Sequence, residues 1–520
     1  MEVPAAVPTG TERVARLLRK RWAIEGSQHP LAASRRACML TVLRAQKSPR
    51  YRYRLKGNGQ VGLIAEQFRN DPRVAEARRL LLAALHDAQS HLHGPHGPDA
   101  TLVEPYRQLL ERLATARGGA TYFPYLSSGL GNGPLVELAD GSVKFDFISG
   151  IGVHGLGHSH PLMVQASIDA ALEDTVMQGN LQQHPPSLLV CERMLGLANR
   201  NGASLAHCLL STSGAMANEN ALKIAFHNRQ PADRVFAIDN CFAGRSIATA
   251  QLTDRPQYRQ GVPTALAVDY LPMVTTESTS AEVEQGLATM RKTLARYPGK
   301  HAAVWLELVS GEGGYYAASP DYIRGLCAAA HAANVLVIFD EVQSFARLSE
   351  PFAFEHFGYD QFADIVTFGK ITQVCGTLYR NELKPKGPLL SQTFIAASSS
   401  IAAALRVLDA LDQANCFGPK SENLRRHEVY AARMARLADR FPGQISGPYG
   451  LGMMFAFTPA DGSDALATRM VNELYNAGLM SFLAGHDPAR IRFLPPPGVT
   501  TDADIEKACD IIEDVVSRSA

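Results

Sequence analysis

The chain has 520 residues and a mass of 56.3 kDa, more than one small core can organise, so two or more domains are expected. Hydrophobic residues make up 46% and charged residues 19%, a soluble globular profile without a run of the ~18 apolar residues that cross a bilayer. The net charge is +1, and the eight cysteines are scattered without a C-x-x-C pair, which argues against a zinc site or a disulfide framework.

The near-neutral total conceals an asymmetry. Residues 1–56 carry thirteen Lys or Arg against three acids, Glu2, Glu12 and Glu25, a basic arm on an acidic body that could dock on its own protein. The opening residues lack an apolar core followed by a small-residue cleavage site, so a cytoplasmic location is expected. Arg50-Tyr-Arg-Tyr-Arg54 interleaves cations and aromatics as nucleic-acid-binding segments can. A dimer arm or exposed strand is the preferred reading over nucleic acid, and a partner-binding module remains an alternative. Residues 1–119 read as a helical extension. Ala75–His91 and Glu104–Ala116 repeat apolar residues at three- and four-residue spacing, with Gly94–Pro98 breaking them apart.

Beyond Gly118 the pattern changes to alternating strands and helices. Val143–Ile148 reads as a strand and Gly214–His227 as a helix. Ala302–Leu308 and Val335–Phe339 are continuous apolar runs of the kind found in parallel strands covered on both faces, with a helix over Asp321–Ala333 between them. This alternation predicts an α/β fold with a mostly parallel sheet flanked by helices. Asp464–Ser519 runs helix, short strand (Arg490–Leu494), Pro-rich turn and helix, as a smaller α+β lobe would.

Two segments carry chemistry. Val335–Gln343 (VLVIFDEVQ) delivers Asp340 to the carboxyl end of a strand, where open α/β sheets bind ligands. Thirty residues on, Asp364–Lys370 (DIVTFGK) delivers a lysine after a glycine. Pyridoxal phosphate needs such a pair: a carboxylate to keep its ring nitrogen protonated, and a lysine to hold its aldehyde and shuttle a proton. A strand cap and a solvated lysine would explain the same letters. In Leu210–Ala225 (LSTSGAMANENALKIA), Ser213 and Gly214 mark a strand-to-helix turn, with Ala217, Ala221 and Ala225 on one helical face. Free backbone N–H groups there suit a phosphate, or Ser213 is simply a helix cap. Gly150, Gly152 and Gly155 satisfy G-x-G-x-x-G, but no helix is expected to open after them, so a dinucleotide site is rejected.

Taken in order, FDFISGIGVHGLGHSHP, SGAMANENALK, GRS at Arg245, SGEGG at Glu312, DEVQ, DIVTFGK, Gln392-Thr393-Phe394 and IRFLPPP resemble the class III aminotransferases, from about Tyr122 to the C-terminus. TSGAMANENALKIAF and the run from Lys370 to Gly376 are similar to lysine 6-aminotransferase, and NEN also to 4-aminobutyrate aminotransferase. The resemblance implies the fold type I architecture of pyridoxal-phosphate-dependent transferases. After the helical basic extension of 1–119, which has no counterpart in that family, the domains would be 120–165 (N-terminal part of the small domain), 166–410 (large cofactor-binding domain) and 411–520 (C-terminal small domain). It implies pyridoxal 5′-phosphate held by Lys370 as a Schiff base, with Asp340 on the pyridine nitrogen and Gln343 on the ring hydroxyl. Val342 would lie beneath the ring and Phe242 above it. Ser213, Gly214 and Ala215 would cradle the phosphate, and Thr393 would reach the phosphate of the other subunit of a homodimer.

For substrates the resemblance implies a terminal-amine donor such as lysine or 4-aminobutyrate, and 2-oxoglutarate as acceptor. Arg245 would take the far carboxylate and Arg492 the α-carboxylate, with Glu312 neutralising Arg492 while a bare amine is bound. Tyr122 and Ile151 would complete the pocket; Ile151 stands where ornithine aminotransferase has a tyrosine. A mutase, racemase, decarboxylase or lyase on the same scaffold is the alternative. Several positions depart from the family's pattern: Leu308 after Glu307, Ala363 before Asp364, Ala243, and Ile395–Ser398 in place of Gly-Gly-Asn-Pro.

Overall fold

A computed structural model describes residues 63–519; the basic arm of residues 1–56, with the Arg50–Arg54 run, lies outside them. Every described element belongs to one compact unit within residues 53–520.

Helix α1 (Pro72–Gln89) starts three residues before the apolar spacing does. Asp71 caps it, accepting from the Arg73 N–H at 2.8 Å, and Pro72 takes the first helical position, where its missing N–H leaves nothing unmade. Helix α2 (Val103–Arg117) ends on Gly118 at φ 75, the left-handed stop that glycine provides. Both helices are fastened to the segment after them. Gln89 Nε2 donates to the carbonyls of Gly131 (2.7 Å) and Ser159 (3.0 Å), and the Tyr106 hydroxyl donates to Pro124 O at 2.6 Å.

Strands β1 (Ser127–Asn132), β2 (Leu135–Leu138) and β3 (Val143–Asp146) form an antiparallel meander, which Leu479–Met480 extends by pairing parallel to β3. After β3 the backbone turns left-handed through four consecutive residues, Ser149 to Gly152, with φ of 46, 66, 57 and 83. No right-handed helix opens there, which is the feature a dinucleotide site would need. Ile151, β-branched, is the costliest of the four in this region. Asp146 holds the turn, its Oδ1 accepting from the N–H groups of Ile148 (3.1 Å) and Ser149 (2.6 Å).

The middle of the chain builds the large sheet. Helices α3 (Pro161–Ala170) and α4 (Pro185–Ala198) lead to β4 (Leu205–Ser211) and α5 (Gly214–Asn228). Then come β5 (Arg234–Ile238), β6 (Ala267–Leu271), α6 (Ser280–Arg296), β7 (His301–Leu306), α7 (Pro320–Ala332), β8 (Leu336–Glu341), β9 (Ile365–Phe368) and β10 (Cys375–Arg380). The order is β4-β10-β9-β8-β7-β5-β6, parallel except for β10, which runs antiparallel to both neighbours. Strands β7 and β8 are buried at every position, as their unbroken apolar runs require. The small face of α5 (Ala221, Ala225) packs on Ala303, Trp305, Ile338 and Ile365. Each large side chain withdrawn from water there contributes roughly 1.5–3 kcal/mol.

Helices α8 (Ser398–Gln413) and α9 (Glu422–Arg440) lead to the last sheet. It comprises β11 (Ile445–Leu451), β12 (Met454–Pro459), β13 (Phe482–Ala484) and β14 (Arg490–Phe493), in the order β11-β12-β14-β13, backed by α9 and α10 (Asp464–Asn476), on which α11 (Asp502–Ser519) packs in turn. No helix among the described residues is long and apolar enough to cross a membrane.

Candidate active site

The carboxyl ends of β4, β8 and β9 deliver Gly214, Asp340 and Lys370 to one edge of the large sheet, the edge where parallel strands leave room for a ligand. Asp340 stands opposite Thr367 in the β8–β9 register. Alternation along β8 sends its neighbour Glu341 to the other face, where Glu341 Oε1 accepts from the Phe354 N–H at 2.9 Å.

Asp340 is buried, and burial raises its carboxyl pKa, while the groups it accepts from oppose that rise. Those donors are Val342 N–H (2.9 Å, to Oδ1) and Asn218 Nδ2 (2.8 Å, to Oδ2). Asn218 is itself fully engaged: its amide also donates to Ala243 O at 2.8 Å, and its Oδ1 accepts from the Thr367 hydroxyl at 2.8 Å. The carboxylate is thus fixed in a desolvated place that a cationic partner would relieve.

Lys370 follows Gly369 and adopts φ 54, a conformation uncommon outside glycine and frequent where function constrains the backbone. Burial pushes its amine down to about 8; Arg492 adds to the fall, and Glu312, Asp340 and Glu307 oppose it. A lysine so poised is partly neutral near physiological pH, as a nucleophile or proton carrier must be.

Backbone approach shapes the floor. A Cβ on Gly214 would come within 2.7 Å of Val342 Cγ1, and one on Gly369 within 3.3 Å of the same methyl. Gly214 begins α5, Ser213 caps it by accepting from Met216 N–H at 3.2 Å, and the first-turn N–H groups have no helical partners. Gly244, at φ 136, brings the next loop against Ala215: an added Cβ there would sit 2.7 Å from Ala215 Cβ. That loop carries half-buried Phe242, whose N–H donates to Glu307 Oε2 at 3.1 Å, while Glu307 Oε1 accepts from Gly311 N–H at 3.2 Å. Burial pushes Glu307 up to about 8, with repulsion from Asp340 adding to it.

Arg492 lies on β14 with no exposed surface. Its guanidinium donates to Glu312 Oε1 at 2.5 Å, to Gly311 O at 3.1 Å and to Gln343 Oε1 at 3.4 Å. Burial alone would raise the Glu312 pKa, but the Arg492 charge overcomes it and holds the carboxylate low. Arg245 is exposed, its guanidinium 4.0 Å from the centre of the Tyr258 ring.

The structure therefore brings together Gly214, Asp340, Val342, Gln343, Lys370, Glu312 and Arg492, with Ala215 and Phe242 on the adjoining turns. Ile151 sits in the left-handed turn, which is tied to the lysine segment by Gln373 Nε2 donating to Val153 O at 2.8 Å. Tyr122 reaches the group at second hand, its ring 4.7 Å from that of Phe482, which lies 5.7 Å from the Arg492 guanidinium. Thr393 is exposed on the loop leading to Ala396 and has no hydrogen bond to the lysine centre among the described residues. Sequence reasoning missed Asn218, Glu307 and Tyr258. Asn218 opens the NEN segment of the family resemblance, but only its place inside a helix of small residues hinted at a structural task. Glu307 and Tyr258 carry no spacing signal of their own.

These residues fit pyridoxal phosphate on three counts: a desolvated carboxylate without an ion pair among the described residues, a half-buried lysine whose amine is desolvated, and a turn at Gly214 where no Cβ fits. A family model described as aminotransferase class-III matches residues 121–516. An acetylornithine aminotransferase of Pseudomonas putida is 26% identical over 74% of this chain and 91% of its own length. A 2-aminoadipate transaminase of the same species is 29% identical over 73% and 92%. Among solved structures, a lysine aminotransferase from M. tuberculosis superposes with a TM-score of 0.71, covering 79% of this chain and all of the other, at 22% identity. That last likeness is one of fold.

Proposed function

The chain belongs to the class III aminotransferases, whose cofactor is pyridoxal 5′-phosphate, and from that premise we propose that it moves a terminal amino group from an amino acid to 2-oxoglutarate. The observation that carries this reading is the pairing of buried Arg492 with half-buried Glu312, 2.5 Å apart. A guanidinium without exposed surface is strongly disfavoured when unpaired. Glu312 supplies the missing charge while the donor presents only an amine. When the acceptor arrives, its α-carboxylate can replace Glu312 on Arg492, a bidentate contact that Arg suits. Arg245, exposed on the loop that carries Phe242, would take the carboxylate at the other end of either substrate.

When bound, the cofactor supplies an electron sink for the carbon that loses its proton. The chain's residues supply the rest. Lys370 Nζ anchors the cofactor and carries the proton leaving the amine-bearing carbon. Asp340, held by Asn218 and the Val342 N–H, keeps a positive charge on the ring nitrogen. Val342 and Phe242 would sandwich the ring, Gln343 would accept from or donate to its hydroxyl, and Ser213, Gly214 and Ala215 would hold the phosphate. Residues 120–165 and 411–520 would form one small domain against the large domain of 166–410; pairing of Leu479–Met480 with β3 supports that division. A second copy of the chain would bring Thr393 to the neighbouring phosphate.

A donor screen with 2-oxoglutarate tests the function. Lysine, 4-aminobutyrate and acetylornithine should yield glutamate, and Lys370→Ala should lose both turnover and covalently retained cofactor. Turnover of 2-aminoadipate with none of the terminal-amine donors would move the reading to an α-amino donor. Turnover that survives Lys370→Ala would overturn it.

A further inference from the structure

Arg245 and Tyr258 are thirteen positions apart, on two segments that the fold locks side by side. Buried Thr253 makes the lock: its hydroxyl accepts from the N–H groups of Ala243 (2.9 Å) and Gly244 (3.2 Å) and donates to Gly244 O at 3.0 Å. The loop that carries Phe242 and Arg245 is therefore pinned to the turn that carries Tyr258. The turn is rigid in itself. Pro256 opens the single helical turn Pro256–Arg259, Arg259 donates to Thr253 O at 2.6 Å, and Arg255 donates to Asn240 Oδ1 at 2.9 Å. Gly244 presses the same loop on Ala215 at the start of α5.

In this frame the Tyr258 ring meets both neighbours. The Arg245 guanidinium carbon is 4.0 Å from the ring centre, and the Phe242 ring stands edge-on at 6.2 Å. No ion pair of Arg245 is found among the described residues. The position over the ring face has a chemical consequence. A cation over an aromatic face is held through its plane, so its in-plane N–H donors stay free for a planar carboxylate. A carboxylate partner within the chain would have occupied those same donors.

We propose that Tyr258 is a positioning residue for substrate recognition: its ring face holds Arg245 in the orientation that receives the distal carboxylate of donor and acceptor. The assignment rests on the reading of Arg245 as the distal carboxylate binder. It selects substrates that carry a carboxylate at the end remote from the transferred amine. An unstacked Arg245 would have to be ordered at the moment of binding, with loss of affinity and little effect on the proton-transfer chemistry at Lys370.

The test uses the holoenzyme and glutarate, a dicarboxylate that cannot react, titrated by calorimetry into wild type, Tyr258→Phe and Tyr258→Leu. The phenyl ring keeps the face and should bind glutarate within about twofold of wild type. Leucine removes the face and should weaken it about tenfold, the scale of a partly desolvated cation–π contact. In turnover, Tyr258→Leu should raise KM for 2-oxoglutarate by a similar factor with kcat within about twofold, and leave KM for an amine donor without a carboxylate unchanged. Glutarate binding by Tyr258→Leu equal to wild type would overturn the proposal. So would a parallel loss for the carboxylate-free amine, which marks general damage, or a wild type that does not bind glutarate. Because the titration needs no turnover, a wild type that binds glutarate but fails every terminal-amine donor sinks the proposed function and leaves this inference standing.

Discussion

Asn218 shows how much of the site depends on a residue that touches no reacting atom. It joins three elements, donating to Asp340 on β8 and to Ala243 O, and accepting from Thr367 on β9. Asn218→Ala would leave the Asp340 carboxylate and the Thr367 hydroxyl each short of a partner in a buried place, where an unmade hydrogen bond costs about 1–3 kcal/mol. We expect the variant to hold its cofactor but to lose about tenfold in kcat, the rate equivalent of about 1.4 kcal/mol. Steady-state kinetics with saturating cofactor would read it, and unchanged kcat would show that Asp340 orients itself. Lys370 and Asp340 were singled out because each ends an apolar strand run, and the order of the surrounding motifs, not the pair alone, pointed to a cofactor. Asn218 was not, because its partners come from strands 122 and 149 residues away in the chain.

At the scale of elements, the junction of β4 with α5 depends on Gly214 lacking a side chain. A Cβ there would approach Val342 Cγ1 to 2.7 Å, too close for carbon atoms that normally stay beyond about 3.5 Å. Gly214→Ala should displace Val342 or the first turn of α5, lowering cofactor affinity at least about tenfold with the circular dichroism unchanged. Equilibrium dialysis of the apoprotein with pyridoxal phosphate checks this; wild-type affinity would mean the cradle lies elsewhere. Helices were found from spacing, but their ends were set by local chemistry that spacing does not carry. The cap of Asp71 and Pro72 moved the start of α1 from Ala75 to Pro72. The left-handed turn from Ser149 to Gly152 was out of reach of periodicity altogether. Two of its four residues are not glycine, and what holds Ile151 there is Asp146 and the packing behind it.

Across the whole molecule, burial sets the response to pH. Glu341 is wholly enclosed, and burial pushes its carboxyl up to about 7. A carboxyl raised in the folded state stabilises the fold fully below its unfolded pKa, near 4.5, and that contribution is lost as pH rises through the folded value. The loss between those limits is on the order of 3 kcal/mol. Glu341→Gln removes it, so its Tm relative to wild type should climb between pH 5 and pH 7.5. A gap that does not move with pH would show that Glu341 ionises as freely folded as unfolded. The surface makes a second prediction. Leu181 is 84% and Phe394 60% exposed, on loops joined where Gly179 N–H donates to Gln392 O at 3.2 Å. We propose that a second copy of the chain covers them, bringing Thr393 to its partner's site. Leu181→Asp with Phe394→Asp should sediment as a monomer and lose activity, whereas a wild type that is itself monomeric would refute the arrangement.

Sequence by itself determined the alternation of strands and helices and, through the order of its motifs, the family and with it the class of cofactor. These are local properties: apolar runs make strands, and a strand end is where its next residue becomes available. Tertiary structure alone decided which distant groups share a charge or a hydrogen bond. Arg492 and Glu312, 180 residues apart, meet only because β14 packs its inward face against the loop after β7. Tyr258 comes under Arg245 because the Thr253 hydroxyl and the Arg255–Asn240 contact tie two loops together. Contacts of that kind depend on the path of the whole chain, and no spacing within a segment records it.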